Sequence, residues 1–117
     1  MTALPRWINL IRALWIAGYL VGTISHVIDL VAGGVSVYEG YALPLRLFWV
    51  SLTVLDPTVV VLIALRRRAG VVAGVVVIVA DVFINATVLG PSLGLLNQVL
   101  FGVFLLATAV PLWRRLV

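Results

Sequence analysis

Four ionisable side chains, His26, Asp29, Asp56 and Asp81, fall inside long apolar runs of this sequence. A charge near the centre of a bilayer costs about 2.5–3.5 kcal/mol on insertion scales, so such residues are rare and usually face protein or water. His26 and Asp29 stand three residues apart, which places both on one face of a helix, where the carboxylate can fix the imidazole tautomer. Asp56 and Asp81 each lie about 11 or 12 residues into their own apolar run, near mid-depth at about 1.5 Å of rise per residue. A base and several carboxyl groups at this depth suit proton exchange, with Asp56, Asp81 and His26 as the candidate catalytic set.

Other polar residues extend the same faces. Tyr19, Gly22 and Thr23 continue the His26 stripe inward. Arg46, Trp49, Thr53 and Asp56 recur at spacings of three and four, and Pro57 frees the carbonyl of Thr53 by removing a helical donor. Asp81 and Asn85 form an i, i+4 pair on the small-residue stripe of Gly70 and Gly74, which lets a neighbouring helix approach closely. Asn97 and Gln98 lie in the last run. The candidate ligand contacts are therefore Asp29, Trp49, Thr53, Asn85, Asn97, Gln98, Arg46 and Tyr19. Plainer roles stand beside these: interhelical hydrogen bonding for Asn85, Asn97 and Gln98, an interfacial snorkelling anchor for Arg46, and simple packing for His26.

The elements that must hold these groups follow from composition. The chain has 117 residues, 64% hydrophobic and 10% charged, with a mean hydropathy of +1.27, far from the roughly 25% charged usage of soluble domains. We expect one all-α domain over residues 1–117, a four-transmembrane-helix bundle with spans near 8–32, 44–65, 70–89 and 93–113. Arg6 and Arg12 before a long apolar run could imitate a signal peptide, but the run is too long and no small-residue cleavage site follows. Arg6, Arg12, Arg66, Arg67, Arg68, Arg114 and Arg115 fall on one side and Arg46 alone on the other, which predicts cytoplasmic N and C termini. Trp7, Trp49 and Trp113 near the span ends fit aromatic belts.

Several functions are excluded or disfavoured. Cysteine is absent, so disulfides and thiolate chemistry are out. No basic groove points to nucleic acid. One histidine with three aspartates is a weak ligand set, and no metal or other cofactor is expected. There is no HExxH, Walker loop or nucleophile elbow.

Ser25 and His26 followed by Asp29, and Phe48-Trp49 leading through Ser51 to Leu55-Asp56-Pro57, together with the four-span layout, resemble distantly the EXPERA superfamily, which includes the emopamil-binding sterol isomerase and the sigma-2 receptor. The resemblance implies an outward or lateral pocket for a sterol-like or cationic amphiphile, with Asp29 and Asp56 as acidic contacts, and in the isomerase branch a His and acids that shift a double bond. The chain departs from that branch in lacking intramembrane Glu and long loops, and in carrying Asp81.

The expected function is thus an intramembrane pocket for a lipophilic, isoprenoid- or sterol-like molecule or membrane lipid, with an acid/base isomerase or cyclase as its enzymatic form. Trp49, Phe83, Phe101 and Phe104 would wall it or stabilise a cation. A proton-coupled transporter working as a homo-oligomer, and an accessory subunit of a larger complex, are the alternatives. A nearly all-apolar inner half speaks against the transporter. The lysine-free, Val/Leu/Arg/Gly-rich composition suggests a GC-rich bacterium and its plasma membrane, where isoprenoids are commoner ligands than sterols.

Overall fold

The computed structural model describes residues 3–117. They form four helices, α1 Arg6–Gly33, α2 Leu43–Ala64, α3 Arg68–Val88 and α4 Leu93–Arg115, with a short 3-10 turn at Gly34–Ser36. Each boundary lies within three residues of its expected position. All four helices are long and apolar enough to cross a membrane: at about 1.5 Å per residue they reach about 30–40 Å, against a hydrocarbon core of about 30 Å. Val, Leu and Ile cover the outer surface of every helix, a pattern suited to lipid and not to water.

Local chemistry explains the stops. Pro5 precedes α1, and Pro44 sits in the first turn of α2, where a missing N–H costs nothing. Gly34 ends α1 at φ 55°, a left-handed conformation that favours glycine. Ser92 caps α4, its Oγ accepting from Leu95 N at 3.0 Å. Pro57 and Pro111 lie inside α2 and α4.

The helices pack in chain order, α1 on α2, α2 on α3 and α3 on α4, and the α1–α4 contact that closes the ring is the sparsest. The arginine-rich end is firmly tied. Arg12 donates to the Ile63 and Ala64 carbonyls at 3.0–3.3 Å, satisfying the end of α2, and Arg68 donates to Trp113 O at 2.9 Å while stacking 4.0 Å from its ring. Such cations suit the negative end of a helix. Val117 N and O pair with Arg66 O and Arg68 N.

Large side chains fill the half of the bundle nearest the arginines. Trp15, Ile8, Leu52, Ile63, Leu105 and Leu112 are fully buried. Trp15 lies against Gly74, where a Cβ would stand 2.8 Å from its ring, and its Nε1 donates to Thr108 Oγ1 at 2.9 Å. Gly70 receives Ile63 and Leu62 in the same way, so the small-residue stripe of α3 does the packing expected of it. Trp7 and Trp113 are half exposed, whereas Trp49 is buried at 4% exposure and belongs to the interior.

Candidate functional site

Above Trp15 the bundle opens. A cavity of about 500 Å³ is bounded on one side by Gly18, Gly22 and His26 of α1 and on the other by Gly94, Gln98 and Phe101 of α4, with Asp56 of α2 and Asp81 of α3 at its back. Val21, Ser25, Gly94 and Asn97 at its mouth are exposed, so it opens sideways, between the neighbouring helices with the sparsest contact. Its lower limit is set by Tyr19, whose hydroxyl donates to the Gly74 carbonyl across the bundle, and by the Phe101 ring, which occupies the space a side chain on Gly18 would need. The seam continues past Phe101 as an apolar groove of about 420 Å³ along Leu14, Ala17 and Phe104.

The two carboxylates differ. Asp81 is 7% exposed and both its oxygens accept hydrogen bonds, from Asn85 Nδ2 at 2.9 Å and from Gln98 Nε2 at 3.2 Å. Asn85 Nδ2 also donates to Gln98 Oε1 at 3.0 Å, and Asn85 Oδ1 accepts from Trp49 Nε1 at 2.9 Å. This network joins α2, α3 and α4 and has one polarity throughout. Asp56, 4% exposed, has a single polar neighbour of this kind: its Oδ2 lies 3.8 Å from His26 Nε2. It rests against Gly22, where a Cβ would stand 2.5 Å from Oδ2. One turn earlier, the Thr53 hydroxyl is buried without a partner among the described residues. A buried acid aimed into the cavity with its oxygens uncommitted is the group best placed for chemistry there.

His26 joins this cavity to a second one of about 340 Å³ at the loop end, lined also by Asp29, Tyr38, Tyr41, Trp49, Asn85 and Leu89. The expected direct pairing of His26 with Asp29 takes another form. Tyr38 stands between them, its hydroxyl donating to Asp29 Oδ2 at 2.9 Å and lying 3.4 Å from His26 Nδ1. Burial, then the bond to Asp29, push the Tyr38 hydroxyl up from its ordinary value, so it stays a donor at physiological pH. Tyr38 and Tyr41 pack on Trp49 with centroids 5.2 and 4.9 Å away.

The site thus gathers Asp56, Asp81, His26, Tyr19, Asn97 and Gln98 around one cavity, and Asp29, Trp49 and Asn85 around its neighbour. Arg46 stays apart: its Nη2 reaches the Val35 carbonyl at 3.4 Å, the anchor role and not that of a counter-ion. Thr53 lies beside Asp56 without lining the cavity, and Phe83 is 68% exposed on the far side of α3. Tyr38 was not among the expected site residues. Its signal was weak: an aromatic in a loop short enough to fold back over the bundle.

The chain matches no family model, no curated protein and no solved structure.

Proposed function

We propose that this is an integral protein of the bacterial plasma membrane, with both termini in the cytoplasm, that takes a lipophilic molecule of isoprenoid type from the outer leaflet into its lateral cavity. The arginine asymmetry supports that orientation. The polar end of the ligand meets Asp56 and His26, and its chain lies along the α1/α4 seam past Phe101. The observation that carries this reading is Asp56 itself, a carboxyl group midway along α2 presented to a cavity that opens sideways between α1 and α4, in space that Gly22 leaves free. An acid and an imidazole within 4 Å suit proton donation to a double bond and proton removal from the resulting cation, the chemistry of an isomerase or cyclase. Membership of the EXPERA superfamily is part of the same proposal, supported by His26 and Asp29 on α1 and by Asp56-Pro57 on α2. The filled half beneath Tyr19 favours a pocket over a transport path.

The test is mass spectrometry of lipids that co-purify with the parent and with Asp56→Asn. An isoprenoid retained by the parent and depleted in the variant is the expected result. The reading fails if the parent retains none and added isoprenoid alcohols leave its melting temperature unchanged.

A further inference from the structure

Among the described residues His26 is the one side chain that lines both the lateral cavity and the loop-end cavity. The first opens between α1 and α4 toward hydrocarbon, which supplies no protons. The second is bordered by Asp29 and Tyr41, both exposed. Between Asp29 and Asp56 three contacts run in series: Tyr38 Oη to Asp29 Oδ2 at 2.9 Å, Tyr38 Oη to His26 Nδ1 at 3.4 Å, and His26 Nε2 to Asp56 Oδ2 at 3.8 Å. The last two are long, as catalytic hydrogen bonds often are without substrate, and closing them needs only small side-chain movements.

We propose that Tyr38 and Asp29 complete a proton relay through His26 that resets the charge state of Asp56 from the loop end of the molecule. The inference rests on the reading of Asp56 as the acid of the pocket. Because Tyr38 donates its own proton to Asp29, its oxygen is free to accept from Nδ1–H, which leaves Nε2 as the lone-pair nitrogen facing Asp56. In one direction the proton on Asp56 Oδ2 passes to His26 Nε2, the Nδ1 proton passes to Tyr38 Oη, and the Tyr38 proton passes to Asp29 Oδ2. Three bonds to hydrogen break and three form, and the net change is one proton moved from Asp56 to Asp29. The reverse passage reloads Asp56.

Other groups around Asp56 offer no such route. Tyr19 on α1 is committed to the Gly74 carbonyl, Asp81 on α3 is committed to Asn85 and Gln98, and α4 presents the uncharged Gln98 and Asn97. Trp49 donates to Asn85 and does not titrate. The Thr53 hydroxyl on α2 is buried without a partner among the described residues and so leads no further. Among those residues His26 therefore has no equivalent, and Tyr38 acts as a positioning residue whose hydroxyl carries the proton.

The test is time-resolved infrared spectroscopy of the protein in lipid nanodiscs after a photolytic pH jump, with the Asp56 carboxyl band assigned by its loss in Asp56→Asn. Tyr38→Phe keeps the ring on Trp49 and removes only the hydroxyl. It is expected to slow the Asp56 response by on the order of 100-fold, the low end of what a positioned proton-transfer group supplies. Asp29→Asn is expected to slow it as well, and serves alone if Tyr38→Phe fails to fold. Tyr38→Phe should keep the co-purifying lipid, since Tyr38 does not line the lateral cavity. An unchanged rate in both variants overturns the relay and leaves the pocket standing. A parent whose Asp56 shows no response to pH also overturns the relay. A parent that retains no isoprenoid and whose melting temperature is unchanged by added isoprenoid alcohols overturns the pocket reading separately.

Discussion

Replacing Asp81 by Asn and Asp56 by Asn is the same chemical change at nearly the same depth, yet the structure demands different outcomes. Either change removes a carboxylate whose insertion costs about 2.5–3.5 kcal/mol, so that gain is shared and cancels in the comparison. What remains is the hydrogen-bond polarity around each side chain. Asp81 accepts at both oxygens, from Asn85 and from Gln98. An amide there turns one oxygen into an NH2 that faces another NH2. Flipping Asn85 offers no escape, because its oxygen already accepts from Trp49, and flipping Gln98 removes the acceptor that Asn85 uses. One hydrogen bond is lost and two donors face each other. Interhelical bonds in membranes average about 0.6 kcal/mol and an unmatched buried donor costs about 1–3 kcal/mol, so Asp81→Asn should unfold about 1–3 kcal/mol more easily than Asp56→Asn. Asp56, with only His26 beside it, has no such network to lose. The assay is reversible unfolding in mixed micelles, by SDS titration followed through tryptophan fluorescence. Adding Gln98→Glu to Asp81→Asn moves the carboxylate across the contact, where it accepts from both amides, and restores the parent's number of acids, so the double variant should match the parent in stability. Equal stability of the two single variants, or a double variant well below the parent, would refute the directional network.

Gly22→Ala brings a methyl group to 2.5 Å from Asp56 Oδ2, so the carboxyl group must leave its place. Co-purifying lipid should fall as it does in Asp56→Asn, while the melting temperature changes little. Trp15→Phe removes the bond to Thr108 and some buried ring area, and should cost about 1–3 kcal/mol in SDS unfolding without affecting lipid retention. A reporter fused after Val117 should read as cytoplasmic and one inserted between Glu39 and Gly40 as external. The opposite pattern would move the pocket to the inner leaflet.

The helices were legible because two strong signals coincide, apolar runs of membrane length and arginines that collect at one end. Spacing also placed Asp81 with Asn85, and Trp49 with Thr53 and Asp56, on common helix faces. Spacing fixes which residues share a helix face, but not which neighbour that face meets. For that reason the sequence left Asp56 and Asp81 equivalent, and only packing separates a carboxylate held by two amides from one left facing a cavity. Trp49 reads as a belt residue by its place near a helix end, yet Tyr38 and Tyr41 fold over it. That fold depends on a loop with Gly34, Tyr38 and Gly40 at positive φ. A turn of this kind, with a tyrosine in the left-handed region, leaves no periodic trace in a sequence.

The glycines show where the molecule gives up packing and where it does not. Gly70 and Gly74 are answered by Ile63 and Trp15, large apolar groups that fill the space a missing Cβ leaves. Gly18 and Gly22 face the same interior from α1, but their space is taken by the edge of the Phe101 ring and by the Asp56 carboxylate. Close helix approach does not explain Gly18, which faces α4 across the sparsest contact between neighbouring helices. Filling that gap with Leu or Val would have gained apolar contacts at about 25 cal/mol per Å² of buried area, or its equivalent in lipid packing, and replacing Asp56 by a neutral residue would have removed an insertion cost of about 2.5–3.5 kcal/mol. A chain that only had to anchor in the membrane would gain from both changes. The acid, the glycine that makes room for it and the lateral opening in front of it therefore adjoin one another, and the inner end of the cavity is closed by Tyr19 on Gly74.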